Sequence, residues 1–391
     1  MKSCVQKIAL FSALAMSTEA ALAVQVTEHL DLGGAIRARY DYDPDRDINK
    51  FNFDTFFLTA KYDSDTLIGA AKYRFYGKAY PYQYTDSIGD ISFAEYAWLG
   101  YKIDSERQVQ FGLNQVPFGN LPYFSSTFIE TLGYLIGLED LSMVGAKYIQ
   151  KTDDWDFQVG YYARPAWQGK GTSSGGVTYS NVVSSADDYI ANGNSNRERN
   201  TVAVRLSRKL DVGGWASEVG VSAYSGELKN NDTHDEGRRN AFALSYSGKR
   251  GAWGTQLLAA RQVMTPKNPG DDRIVTMGGY DSTFNIASKG NLYVADLSYE
   301  IPGKYAFGYV SGAKLYVNYS MFDKDVNEFK DTQRVVLGTS FFVGKNVLVA
   351  TEWLHGKNDP YVGGSNYLQS LGSGGSNQWE NQLSVNIGYY F

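Results

Sequence analysis

The stretch QWENQLSVNIGYYF, residues 378–391, decides the fold. From Leu383 the apolar side chains keep to one parity, Leu383, Val385, Ile387, Tyr389 and Phe391, while Gln382, Ser384, Asn386 and Gly388 take the other. A period of two residues is that of a β-strand. This strand is apolar on one face up to its terminal carboxylate and has aromatics in its last three places. It suits a wall with hydrocarbon outside and water inside, the pattern of a transmembrane barrel. The alternative for this segment alone is the terminal strand of a soluble sheet.

Outward from that strand, the chain divides into roughly sixteen amphipathic runs separated by turn chemistry, each near the length that a tilted membrane strand needs. The first run, 30–42, sets Leu30, Leu32, Ile36, Tyr40 and Tyr42 against Arg37 and Arg39. Short connections such as Asp63-Ser64-Asp65, Asp104-Ser105-Glu106 and Gly344-Lys345-Asn346 follow even-numbered runs. Long ones, 116–142, 165–196, 265–291 and 356–377, follow odd-numbered runs. Short turns on one rim and long loops on the other define an antiparallel up-and-down barrel, all-β, with 16 strands. Fourteen and eighteen are the alternatives, because 276–286 reads either as a strand or as a β-rich loop. The runs 92–102 and 253–264 are apolar on both parities, so alternation does not assign their outer faces.

Composition agrees: 30 Tyr and 41 Gly against 9 Pro suit many strands, aromatic belts and tight turns. The N-terminus carries Lys2 and Lys7, an apolar core at 8–16 and Ala21-Leu22-Ala23, the three parts of a secretory leader. Residues 1–23 are therefore read as a signal peptide, cleaved near Ala23, and 24–391 as a single barrel domain. The lone Cys4 falls in the leader, so no disulfide framework is expected in the mature chain. Formal net charge is −5, with acids gathered in loops and no basic stripe interleaved with aromatics, which argues against a nucleic-acid partner.

A closing strand that ends in Phe391 resembles the final strand of Gram-negative outer-membrane porins. Gln115-Val116-Pro117-Phe118-Gly119 is similar to the strand-to-loop junction of the phosphate-selective and dicarboxylate-type porins within that group. The resemblance implies a bacterial outer-membrane channel for passive diffusion of small hydrophilic solutes. It also implies a third extracellular loop folded into the barrel, contact with lipid and lipopolysaccharide, a homotrimer and no cofactor. Two features depart from that family. No loop carries a lysine cluster, and Val24 leads almost directly into the first strand with no helical extension.

If the polar parity lines a pore, basic groups there, among them Arg199, Arg239 and Arg334, lead acidic ones by about two to one, and confined charges of one sign concentrate counter-ions. An anion bias carried by Arg37, Arg39, Lys72, Arg74 and Arg205 opposite Glu130 and Glu139 is one expectation; the alternative is that the wall cations merely neutralise acids of an inserted loop. The segment 116–142, with Phe124, Ile129, Leu132, Tyr134, Leu135 and Ile136, is too apolar to stand in water and is expected inside the barrel. A rival specificity is a sugar channel, in which pore-facing Tyr76, Tyr162, Tyr224 and Tyr316 stack substrate rings. Catalysis has little support: His29, His234 and His355 form no metal or nucleophile spacing, so no catalytic or metal residues are assigned. Asp43, Asp45 and Asp47 read as a solvated loop, with Ca²⁺ the alternative. A barrel enzyme or adhesin is the rival from another class.

Overall fold

A computed structural model describes residues 23–79, 81–362 and 366–391. The leader read at 1–23 thus lies, up to residue 22, outside the described residues. Sixteen strands close into an antiparallel barrel: β1 (Leu30–Asp43), β2 (Ile48–Asp63), β3 (Leu67–Tyr76), β4 (Ser92–Lys102), β5 (Arg107–Gln115), β6 (Ser142–Lys151), β7 (Trp155–Pro165), β8 (Asn196–Val212), β9 (Trp215–Asn230), β10 (Glu236–Arg250), β11 (Trp253–Thr265), β12 (Lys289–Glu300), β13 (Val310–Lys324), β14 (Thr332–Val343), β15 (Val347–Lys357) and β16 (Trp379–Tyr390). Each pairs with its neighbours in sequence, and β1 pairs with β16 from Ala35 opposite Tyr390 to Tyr42 opposite Leu383. The segment 276–286 lies outside the wall. It belongs to a hairpin, Ile274–Gly279 with Ser282–Ala287, that joins Val182–Val183 in a separate three-stranded sheet.

Alternation sorts the side chains as the sequence implies. Leu32, Ile36, Leu58, Leu99, Phe111, Val221, Leu244 and Leu257 point outward and are exposed, as a surface facing hydrocarbon must be. The short-turn rim is tight: Gly213 and Gly214 join β8 to β9 with φ of 61° and 81°, a left-handed pair that side chains rarely adopt. The opposite rim carries the long loops L2 (77–91), L3 (116–141), L4 (166–195), L6 (266–288) and L8 (358–378).

The inner face explains the two ambiguous runs. Leu258 and Ala260 of β11 are buried in one cluster with Phe124 of L3, and Phe93 of β4 lies 5.6 Å from the Tyr280 ring of L6. Apolar residues on both parities thus mark strands whose lumen side is covered by loops. Alternation also slips. A β-bulge between Arg199 and Val202 reverses parity in β8, so Arg199, read from sequence as pore-facing, pairs instead with Glu227 and Glu236. Glu198 takes the inward position and is 1% exposed.

An outward arginine should be costly. Leu244→Arg is expected to destabilise the barrel in phospholipid vesicles by about 2–4 kcal/mol in reversible guanidinium unfolding, if Leu244 sits near the bilayer midplane.

Candidate functional site

L3 enters the barrel after Gln115 and folds about a single helical turn, α1 (Leu132–Leu135). Thr131 caps this turn, its side chain accepting from Gly133 N at 3.0 Å. Glu139 spans the loop, accepting from Phe124 N at 2.7 Å, Thr131 N at 2.9 Å and Thr131 Oγ1 at 2.5 Å. Leu132, Leu135, Ile136 and Leu138 are buried, which seats the loop against the lumen as its apolar composition demands.

Charged wall residues hold this loop by its backbone. Arg239 donates from Nη2 to Ile136 O at 3.0 Å and Gly137 O at 2.7 Å while its Nη1 pairs with Glu198 at 3.0 Å. Arg334 donates to Glu130 O at 3.0 Å and pairs with Asp359 of L8 at 2.5 Å. Arg205 donates to Gly119 O at 2.8 Å and pairs with Glu218 and Asp156. Glu352 accepts from Phe128 N at 2.5 Å and Ile129 N at 2.9 Å, and Asp296 from Ser126 N at 3.1 Å. Cations sit on loop carbonyls and carboxylates on loop N–H groups, each satisfying an atom that burial would otherwise orphan.

A cavity of about 200 Å³ remains between L3 and the wall. Arg37, Arg39 and Arg74 line it from β1 and β3. Arg37 pairs with Asp54 at 3.1 Å, Arg39 with Asp41 at 2.8 Å, and Arg74 with Glu95. Opposite lie Phe128, Ile129, Glu130 and Tyr134 of L3, with the Arg37 guanidinium 5.5 Å from the Phe128 ring. Tyr76, Tyr82, Tyr134, Tyr179, Tyr280, Tyr361 and Tyr367 also line this space, and Arg74 lies 4.7 Å from the Tyr179 ring centre. The lining charges are Arg37, Arg39, Arg74 and Arg334 against Asp41, Asp54, Glu130 and Glu352, four of each sign. The two-to-one basic excess of the whole inner parity is absent at this cavity.

The seven residues singled out from sequence thus separate. Arg37, Arg39, Arg74 and Glu130 share the cavity. Lys72 lies beside it, 3.4 Å from Glu95 and 4.3 Å from the Phe57 ring. Arg205 is on β8, committed to the root of L3. Glu139 does not oppose the basic wall, because its carboxylate is turned into L3 and is 1% exposed. Burial pushes it up to about 7 despite its three donors. Glu130 accepts from Tyr179 OH at 2.9 Å, and the same hydroxyl lies 2.8 Å from Asp140. One hydroxyl proton cannot serve two carboxylates, and burial together with Asp140 holds Glu130 well above the usual carboxylate range.

Sequence reasoning missed the loop tyrosines Tyr179, Tyr280, Tyr361 and Tyr367, which stand in segments without periodicity. Of the four named pore-facing tyrosines, only Tyr76 lines the cavity; Tyr162, Tyr224 and Tyr316 bond to Asn114, Glu198 and Glu352 respectively. Asp43 braces its own turn, accepting from Asp45 N at 3.0 Å and Arg46 N at 3.1 Å and pairing with Arg46. Among the described residues no three His, Cys, Asp or Glu side chains are grouped to hold a metal.

Neither a protein-family model nor a curated protein matches the chain in sequence. Solved structures match in shape. The outer membrane channel DcaP of Acinetobacter baumannii aligns with TM-score 0.61 at 12% identity over 94% of this chain and 99% of that one. OmpF of Salmonella typhi, solved with daunomycin, gives 0.57 at 16% over 93% and 97%. An anion-selective porin from Comamonas acidovorans gives 0.56 at 12% over 93% and 99%. The chain has the fold of the outer-membrane porin barrels.

Loop seating should respond to pH and to Glu139. A carboxyl raised from its ordinary value to about 7 favours the seated loop at low pH, and that advantage is lost as pH rises through about 7. Thermolysin cleavage within 116–141 is expected to be slower at about pH 5.5 than at about pH 8. Glu139→Ala, which strips acceptors from Phe124 N and Thr131 N at about 1–3 kcal/mol each, should speed it at both.

Proposed function

We propose that this chain is an outer-membrane porin, a passive channel through which small hydrophilic solutes diffuse, with the long loops outside the cell and the short turns in the periplasm. The observation that carries this is the polar, charged cavity left between L3 and the wall inside a barrel whose outer surface is apolar. Three copies assemble side by side in this reading. Ala60, Ala71 and Ala97 stand opposite one another across β2, β3 and β4, a row of small side chains that a neighbouring barrel can approach.

Selectivity follows from the cavity lining rather than from the whole wall. Four arginines against four carboxylates give a weak field, and burial and the neighbouring Asp140, which hold the Glu130 carboxyl above its ordinary range, favour the anion-facing side of that balance. Arg37, Arg39 and Arg74, with Lys72 behind them, form the anion-facing side opposite Glu130. The seven tyrosines favour a second reading, a sugar-type channel in which planar faces bind solute rings and charge is secondary.

The zero-current potential of the purified protein in a planar bilayer across a KCl gradient tests both. A small anion preference is expected in the wild type. Arg37→Ala with Arg74→Ala leaves two arginines against the four carboxylates and should reverse it to cation preference. A potential unchanged by that pair, together with current block by uncharged sugars, would establish the second reading. A folded protein with no stepwise conductance would sink the channel and leave an enzyme or adhesin as the reading to pursue.

A further inference from the structure

The short turns differ in the charges they hold, although both sets have counter-ions beside them: Asp63 pairs with Lys102, Asp104 with Arg107, and Glu300 with Lys249. The first three turns hold Asp63 and Asp65, Asp104 and Glu106, and Asp153 and Asp154. Around the turns after β10, β12 and β14 stand Arg250, Lys304 and Lys345, and the turns themselves contain no carboxylate. The second set is also aromatic. Trp253 and Tyr299 are cross-strand partners with ring centres 4.8 Å apart, and Trp215 begins β9 beside them.

These rings border a groove of about 590 Å³ lined by Trp215, Arg250, Trp253, Leu297 and Tyr299 together with the backbone turn at Gly251 and Ala252. Trp253 and Leu297 are exposed on the outer face, at 46% and 41%. Arg250 lies over the neighbouring turn, its Nε 3.8 Å from where a β-carbon on Gly214 would stand. Of the nearby charges, Glu300 pairs with Lys249 at 3.1 Å, and Asp211 accepts from Gly214 N at 2.9 Å. The Arg250 side chain makes no hydrogen bond or ion pair with any described residue.

We propose that this groove binds an anionic phospholipid of the periplasmic leaflet, its phosphate on the Arg250 guanidinium and an acyl chain laid along Leu297. The inference rests on the outer-membrane placement proposed above. A guanidinium offers a planar fork that matches phosphate oxygens, and indole and phenol rings take the depth where headgroup meets hydrocarbon. The Arg250 guanidinium is complementary to an anionic headgroup at this depth, so the groove collects such lipids.

The test is native mass spectrometry of the full chain refolded in detergent and titrated with palmitoyl-oleoyl phosphatidylglycerol or the phosphatidylcholine of the same chains. The wild type is expected to hold phosphatidylglycerol at about fivefold lower concentration, the worth of one basic side chain at an anionic surface. Arg250→Gln should abolish the preference, Lys345→Gln should keep it, and Trp253→Ala should weaken both lipids alike. Equal retention of the two lipids by the wild type, or a preference that survives Arg250→Gln, overturns the site. Insertion into vesicles separates the failures. A barrel that enters vesicles of both lipids yet shows no preference loses only this site, whereas one that enters neither loses the membrane placement and the site together.

Discussion

A wall that faces hydrocarbon leaves its backbone no water to bond with, and the architecture depends on meeting that demand. A sheet meets it only by closing on itself. The seam between β1 and β16 runs to the last residue, where Gly34 N donates to Phe391 O at 2.9 Å and Phe391 N to Gly34 O at 3.0 Å. Room for this comes from Gly33 and Gly34. A β-carbon on Gly33 would stand 2.8 Å from Phe391 O, and one on Gly34 would stand 3.0 Å from the Phe391 ring. The aromatic terminus and the paired glycines are two sides of one joint.

The same ring creates an interior that outer chemistry does not constrain, and the chain uses it for charge. Arg239 with Glu198 and Arg334 with Asp359 are fully buried pairs. Pairs of this kind contribute little net stability, because desolvation offsets their attraction, but their geometry is directional. Here each arginine has donors left over, and those donors fix L3. The shape of the lumen is therefore set by electrostatics at the wall, and the cavity presents whatever charge the loop leaves uncommitted.

The sixteen strands were legible because two independent signals agreed: side-chain parity, and the alternation of short with long connections. Parity failed at Arg199, where a bulge inserts a residue and no sequence period records it. Loop L3 was legible as an inward segment from its apolar content, yet not in detail. Glu130 and Glu139 are chemically alike and nine positions apart in a segment with no period, so nothing in the chain distinguishes the one that lines the cavity from the one turned into the loop. The partners of the wall arginines were hidden for a related reason. Charge counting pairs side chains with side chains, whereas Arg205, Arg239 and Arg334 also bond to carbonyls, which every residue possesses. The tyrosines of L4, L6 and L8 lie in Gly-, Ser- and Asn-rich sequence whose structure comes from packing between loops far apart in the chain.

That packing ties the long loops to one another. Val182 and Val183 of L4 pair with the L6 hairpin, Val275, Met277 and Ile286 share one apolar cluster with Leu371 of L8 and Leu135 of L3, and Ala287 N donates to Leu371 O at 2.9 Å. Withdrawing any one of these loops exposes apolar surface on the other three. Such elements open cooperatively rather than one by one. The loops at this rim are thus one packed unit, and a substitution in the apolar cluster of any one of them loosens its contacts with the other three.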